Sequence, residues 1–142
     1  MTTTGPRQYL VRPRLFGKTR APTWYAPEVT GHTGPDRRRR AELAVAYYQH
    51  QVIFAVLEAM RLWETDCVAL FAEKYGENAD NMRRKFRGER WASLEDMLAW
   101  TLHAGIDLLP VRTSAQGYLP PPELLIEREV AHSPVSLRGS PS

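Results

Sequence analysis

VALFAEKYGENADNMRRKFR, residues 68 to 87, is the stretch on which the fold of this chain turns. Phe71 and Tyr75 stand four residues apart, on one face of a helix that Thr65 or Asp66 can cap at its start. Gly76 ends that helix, because glycine accepts a positive φ without steric cost. A second helix is expected from about Ala79 to Arg87, with Met82 and Phe86 on its inner side and Gly88 closing it.

Downstream, Ser93 with Asp96 three residues later has the form of a capping arrangement for a helix from Leu94 to Ala104, ended by Gly105. Upstream, no breaker occurs between Gly34-Pro35-Asp36 and Gly76. Apolar residues from Leu43 to Trp63 recur at helical steps, so a long, substantially buried helix is expected over about 36 to 64. A break near Gln49-His50-Gln51 would make it two helices. Residues 1 to 35 keep no periodicity and read as an extended basic arm. Residues 111 to 142 read as a Pro/Ser-rich tail with a short helix near 122 to 130. The fold class expected is all-α: a bundle of four to five helices preceded by a long helix, in a domain spanning 36 to 110 between extended N- and C-terminal tails.

The twenty residues quoted above resemble the helix-turn-helix core of the Cro/C1 (xenobiotic-response-element) repressor family. Ala72 matches the family's small residue on the first helix, Gly76 its turn glycine, and Phe71, Tyr75 and Met82 its apolar positions. The likeness continues through Arg87-Gly88-Glu89-Arg90, similar to the family's glycine-containing loop, and through 93 to 106, similar to its next helix. It covers about forty residues, 66 to 106. Two positions depart from the pattern. Glu77 stands where a small apolar or hydroxyl residue is commoner, and Lys85 where an apolar residue is usually buried, with Phe86 beside it as a substitute. Both leave the rotation of the second helix open.

The resemblance implies a sequence-specific, duplex-DNA-binding regulator, a repressor acting as a homodimer, whose second helix enters the major groove. The residues it would present are Asn78, Ala79, Asp80, Arg83, Arg84 and Arg87, of which Arg87, with Arg90 and Lys85, would hold phosphates. Arginines at 83 and 84 have the fork that pairs with guanine O6 and N7, while Asn78 could cap the helix or bond adenine. Without a partner, the same residues are a helical hairpin with a solvated basic face.

Charge is uneven. Residues 1 to 40 carry nine Lys or Arg against two acids, and residues 41 to 110 carry seven against eleven. The run Arg37-Arg38-Arg39-Arg40 opposes the dipole of the helix it begins, which an anionic partner such as phosphate would relieve; a solvated helix start is the plain alternative. Tyr9, Phe16, Trp24 and Tyr25 alternate with basic residues, a mixture that stacks on bases, docks on a partner protein or pins an arm to its own core. Docking through that arm on a transcription, replication or phage complex is the alternative function, that of an adaptor.

The remaining chemistry is sparse. One cysteine, Cys67, excludes an internal disulfide and a Cys-cluster zinc site, and suits a reducing cytosol. His32, His50, His103 and His132 lie apart, without partners at metal-ligand spacing. Trp63, Trp91 and Trp100 read as core or rim. Neither a phosphate loop nor a nucleophile elbow nor paired carboxylates stand out, so no enzyme, cofactor or metal is expected. Apolar stretches fall short of the roughly 20 residues that span a bilayer, so the expectation is a cytoplasmic protein with no membrane partner. Arginine outnumbers lysine sixteen to three, the bias of GC-rich bacterial or phage coding sequence.

Overall fold

The computed structural model describes residues 4–27, 34–61, 68–106 and 119–128. Four α-helices dominate: α1 (Gly34–Met60), α2 (Val68–Tyr75), α3 (Ala79–Phe86) and α4 (Leu94–Ala104). Two strands of two residues each, β1 (Trp24–Tyr25) and β2 (Leu125–Ile126), lie parallel, with Trp24 opposite Leu125. The expected all-α class holds at this level. None of the described helices is long and apolar enough to cross a membrane.

Helix α1 runs unbroken for 27 residues, about 40 Å at 1.5 Å per residue. Gly34-Pro35 opens it, because proline is tolerated in a first turn, and Asp36 sits buried at the positive end of its dipole. The break considered near residues 49 to 51 does not occur. Gln49 and His50, the polar pair that suggested it, are instead buried and engaged: Gln49 binds the backbone beyond α3, and His50 binds the backbone of the N-terminal segment. The helix ends at Met60 rather than at the expected residue 64, because Arg61 turns the chain at φ +54°; the cap expected at Thr65 or Asp66 lies outside the described residues, as do Cys67 and Trp63.

Residues 4 to 27 are not an arm standing off the domain. Leu10, Phe16 and Trp24 are each at most 1% exposed and belong to the same core as Leu43, Ile53, Met82 and Trp100. Two 3-10 turns, Pro6–Tyr9 and Pro13–Leu15, carry the chain along α1, each opened by a proline whose missing N–H is no loss there. Trp24 meets Tyr47 and His50 edge-on at centroid distances of 5.6 and 5.4 Å, while Phe16 meets His50 at 5.6 Å. Glycine is required at one point of this contact. At Gly17, φ is +72° and a Cβ would stand 2.6 Å from the Ile53 side chain, which only a hydrogen can avoid.

The helix expected near 122 to 130 is replaced by a 3-10 turn, Pro122–Leu124, and by β2. The physical reason is the partner: β1 offers an edge, and the Ala26 N–H donates to the Ile126 carbonyl at 2.7 Å. Arg128 then lies 4.0 Å over the Tyr25 ring and donates to the Gln8 carbonyl.

Candidate nucleic-acid interface

Helix α3 is eight residues long, and each end is fixed by its own sequence. The Asn78 side chain accepts the Asn81 N–H at 2.9 Å, which satisfies an amide that the first turn would leave without a partner. At the other end the Gly88 N–H donates to the Lys85 carbonyl and the Glu89 N–H to the Arg84 carbonyl, with Gly88 at φ +78°. The turn before α3 works the same way: Gly76, at φ +90°, lets the Gly76 and Glu77 N–H groups both return to the Ala72 carbonyl.

Inward, α3 is held from three sides. Met82 (0% exposed) and Phe86 (5%) enter the core, where Phe86 meets Trp100 at 4.9 Å and Phe71 at 6.2 Å. Ala79 is half-buried against the same cluster. Ala72, fully buried on α2, leaves room for this approach, as its small side chain suggests.

The two departures from the family pattern explain each other. The Lys85 ammonium donates to Glu77 at 3.1 Å and to Asp96 at 2.8 Å, and all three side chains are less than a fifth exposed. Burial alone would lower the Lys85 ammonium, but its hydrogen bonds to Asp96 and Glu77 outweigh that and hold it above its ordinary value. Burial alone would raise the Asp96 carboxyl, but the bonds from Lys85 and Ser93 hold it below the usual carboxylate range. Asp96 also completes the capping box of α4: it accepts the Ser93 N–H while the Ser93 hydroxyl accepts the Asp96 N–H, both at 3.0 Å. One ammonium thus joins the turn, α3 and α4. Lys85, expected on a phosphate, faces two carboxylates of its own protein instead.

A buried glutamine completes the support. The Gln49 amide, 0% exposed, donates to the Lys85 carbonyl at 3.0 Å and the Arg90 carbonyl at 3.1 Å, and its oxygen accepts the Ala92 N–H at 2.8 Å. One side chain of α1 thus bonds three backbone groups, at the end of α3 and in the loop after it, and the Ala92 N–H among them is buried and costly to leave unbonded. The N-terminal segment grips the same loop. The Arg7 N–H donates to the Gly88 carbonyl at 3.0 Å, and a Cβ on Gly88 would stand 2.6 Å from the Phe16 ring.

Outward, α3 presents Asn78, Asp80, Arg84 and, just past its end, Arg87, all exposed. Arg83 is half-buried between the two faces. Arg84 donates through Nε to Asp80 at 3.0 Å, one helical turn back. Arg90 donates through Nη1 to the Asn81 side chain at 2.7 Å, and Arg87 Nη1 lies 3.9 Å from Glu89. Asn81, in turn, donates to Glu77 at 3.0 Å. So Asn78, Asp80, Arg84, Arg87 and Arg90 are exposed, while Lys85 and Ala79 are half-buried.

The arginine run lies in the first turns of α1. Arg37, Arg38 and Arg39 are exposed and Arg40 is half-buried, with Arg39 donating to Asp36 at 3.2 Å. Arg38 lines an open groove of about 310 Å³ together with Ala41, Glu42, Val45 and Trp91. Trp91 directly follows Arg90, so the run reaches the loop that follows α3. Trp91, read from sequence as core or rim, is at the rim, 38% exposed, and Trp100 is in the core. Glu42 on the groove wall accepts the Tyr9 hydroxyl; burial and that carboxylate raise the phenol's pKa.

Sequence reasoning missed Asn81, Gln49 and the pairings of Asp80 and Lys85. The Asp80–Arg84 spacing of four was a visible signal. Gln49 gave none, because its partners lie more than 35 residues away. Among the described residues, no group of His, Cys, Asp or Glu could hold a metal ion. Comparison with the models of known protein families, with curated proteins and with solved structures finds no match to this chain.

Proposed function

We propose that α2, the Gly76 turn and α3 act as a helix-turn-helix of the Cro/C1 type, and that the protein binds duplex DNA sequence-specifically, as a homodimer, to regulate transcription. The observation that carries this reading is the division of α3. Met82 and Phe86 are spent on the core, and Asn78, Asp80, Arg84 and Arg87 are left outward on a helix about 12 Å long. A major groove about 12 Å wide accepts such a helix, and its base edges offer the donors and acceptors those side chains match. Arg87, Arg90 and the exposed arginines of α1 serve as phosphate contacts, whose counterion release strengthens binding at low salt. Lys85 has no part in this surface.

The adaptor reading, with residues 1 to 35 as the docking element, would draw on Phe16 and Trp24, which are buried. DNA reading draws only on side chains that are exposed or half-buried.

The test is selection of duplexes from a random pool with the full chain. A shared motif is expected, with the preference abolished in the Arg83→Ala/Arg84→Ala double variant. Recovery of no enriched motif, with weak binding that only salt modulates, removes the reading.

A further inference from the structure

We infer that Arg84 is the guanine-reading residue of α3 and that Asp80 is its positioning residue, so the site bound contains a G·C pair whose selection depends on both. The inference rests on the duplex-reading function proposed above and deepens it.

The arginines differ in the nitrogen each uses to meet its partner. A guanidinium can meet guanine end-on, through the two terminal amines Nη1 and Nη2, which match the O6 and N7 acceptors of one base. Arg84 meets Asp80 through Nε at 3.0 Å, so the terminal pair takes no part in that bond. Arg90 and Arg87 contact their partners through Nη1, one of the two nitrogens an end-on fork needs. Arg84 is also exposed on the helix itself, whereas Arg83 is half-buried there and Arg87 and Arg90 follow it.

Asp80 suits the supporting part. It stands one turn before Arg84, in the first turn of α3, where a carboxylate is favoured by the dipole, and its side chain is 69% exposed. An exposed pair of this kind adds little to stability. Its effect lies elsewhere: a long side chain with several rotatable bonds is restricted before DNA arrives, which reduces the ordering cost of binding. The same carboxylate has a second acceptor oxygen, suited to the N4 amine of a neighbouring cytosine.

The experiment uses the full chain. Wild type is first used to select its motif; Arg84→Ala, Arg84→Lys, Asp80→Asn and the Arg84→Ala/Asp80→Asn double variant are then titrated with that site carrying each base pair at every position, at one salt concentration. Circular dichroism confirms that each is folded. The expected result is one G·C position at which Arg84→Ala and Arg84→Lys each lose a preference of roughly fivefold or more. Asp80→Asn loses part of the preference at that same position, and the double variant loses no more there than Arg84→Ala. If Arg84→Ala weakens all sites alike, Arg84 is a phosphate contact and the inference is overturned. It is equally overturned if Asp80→Asn leaves that position unchanged, or if the position lost is not G·C. A wild-type chain that selects no motif removes the duplex-reading function itself, and this inference with it. The first three outcomes leave that function standing.

Discussion

Residues 4 to 27 and residues 68 to 86 both contribute fully buried side chains to one core, yet they are built on opposite principles. The second region repeats apolar residues at helical steps and satisfies most of its backbone within its own helices and turns. The first has no repeat: Leu10, Phe16 and Trp24 are isolated anchors between prolines and glycines, and its backbone bonds reach to Gly88, to Ile126 and to the His50 ring. Periodicity reports structure that a segment makes with itself. An anchor that exists only through tertiary contact leaves no periodic trace.

The largest way to break this comparison is deletion of residues 1 to 27. If the segment is part of the core, the remainder should lose its cooperative thermal transition by circular dichroism, because the sum of three large buried side chains rivals a total stability of about 5–15 kcal/mol. A sharp melt in the truncated chain would return the segment to the status of an arm. Next in size, Trp24→Ala should cost about 3–5 kcal/mol in denaturant unfolding. Leu70→Ala, on a residue 60% exposed within the periodic region, should stay within about 0.5 kcal/mol.

The pH dependence of the segment's docking comes third. His50 accepts the Gly17 N–H on Nδ1 at 2.8 Å. Burial lowers its pKa from 6.5 to about 4, partly countered by the carbonyls of Thr19 and Arg20. The unfolded chain therefore takes up a proton near 6.5 that the folded chain refuses until about 4, so stability should fall as pH drops through that window. The loss reaches about 2 kcal/mol by pH 5, read from unfolding midpoints at pH 7, 6 and 5. His50→Gln should flatten the upper part of that fall; an unchanged slope would assign it to other groups.

The smallest effect sharpens the contrast with one residue type. Gly76 and Gly88 both have positive φ, but nothing lies within 4 Å of a Cβ added at Gly76, whereas at Gly88 it meets the Phe16 ring at 2.6 Å and Arg7 at 2.8 Å. Gly76→Ala should cost only the conformational term, about 1–2 kcal/mol. Gly88→Ala should cost more, because the N-terminal segment must shift as well. Equal melting temperatures for the two variants would mean that the segment does not press on that loop.

Much of the helical part was legible. The Ser93–Asp96 capping box, the stop at Gly105 and the span of α3 could be read because each is a local arrangement within a few residues. Of the set expected outward on α3, Asn78, Asp80, Arg84 and Arg87 are exposed, while Ala79 and Arg83 are half-buried. What escaped was everything decided across the chain. Lys85 looked like a surface cation because its partners, Glu77 and Asp96, become neighbours only when three elements pack. Gln49 looked like a break in a helix because its bonds are to backbone far away in sequence. β2 looked helical because nothing near it announces the edge of β1.

The separation of labour on α3 has an engineering consequence. Ala79, Met82, Lys85 and Phe86 fasten the helix, and Asn78, Asp80, Arg84 and Arg87 do not enter the core. Asp80, Arg84 and Arg87 can be rewritten while the fastening, the Asn78 cap included, is copied unchanged. A library randomised at Asp80, Arg84 and Arg87 should yield mostly folded proteins, so the scaffold could carry new surfaces without being redesigned.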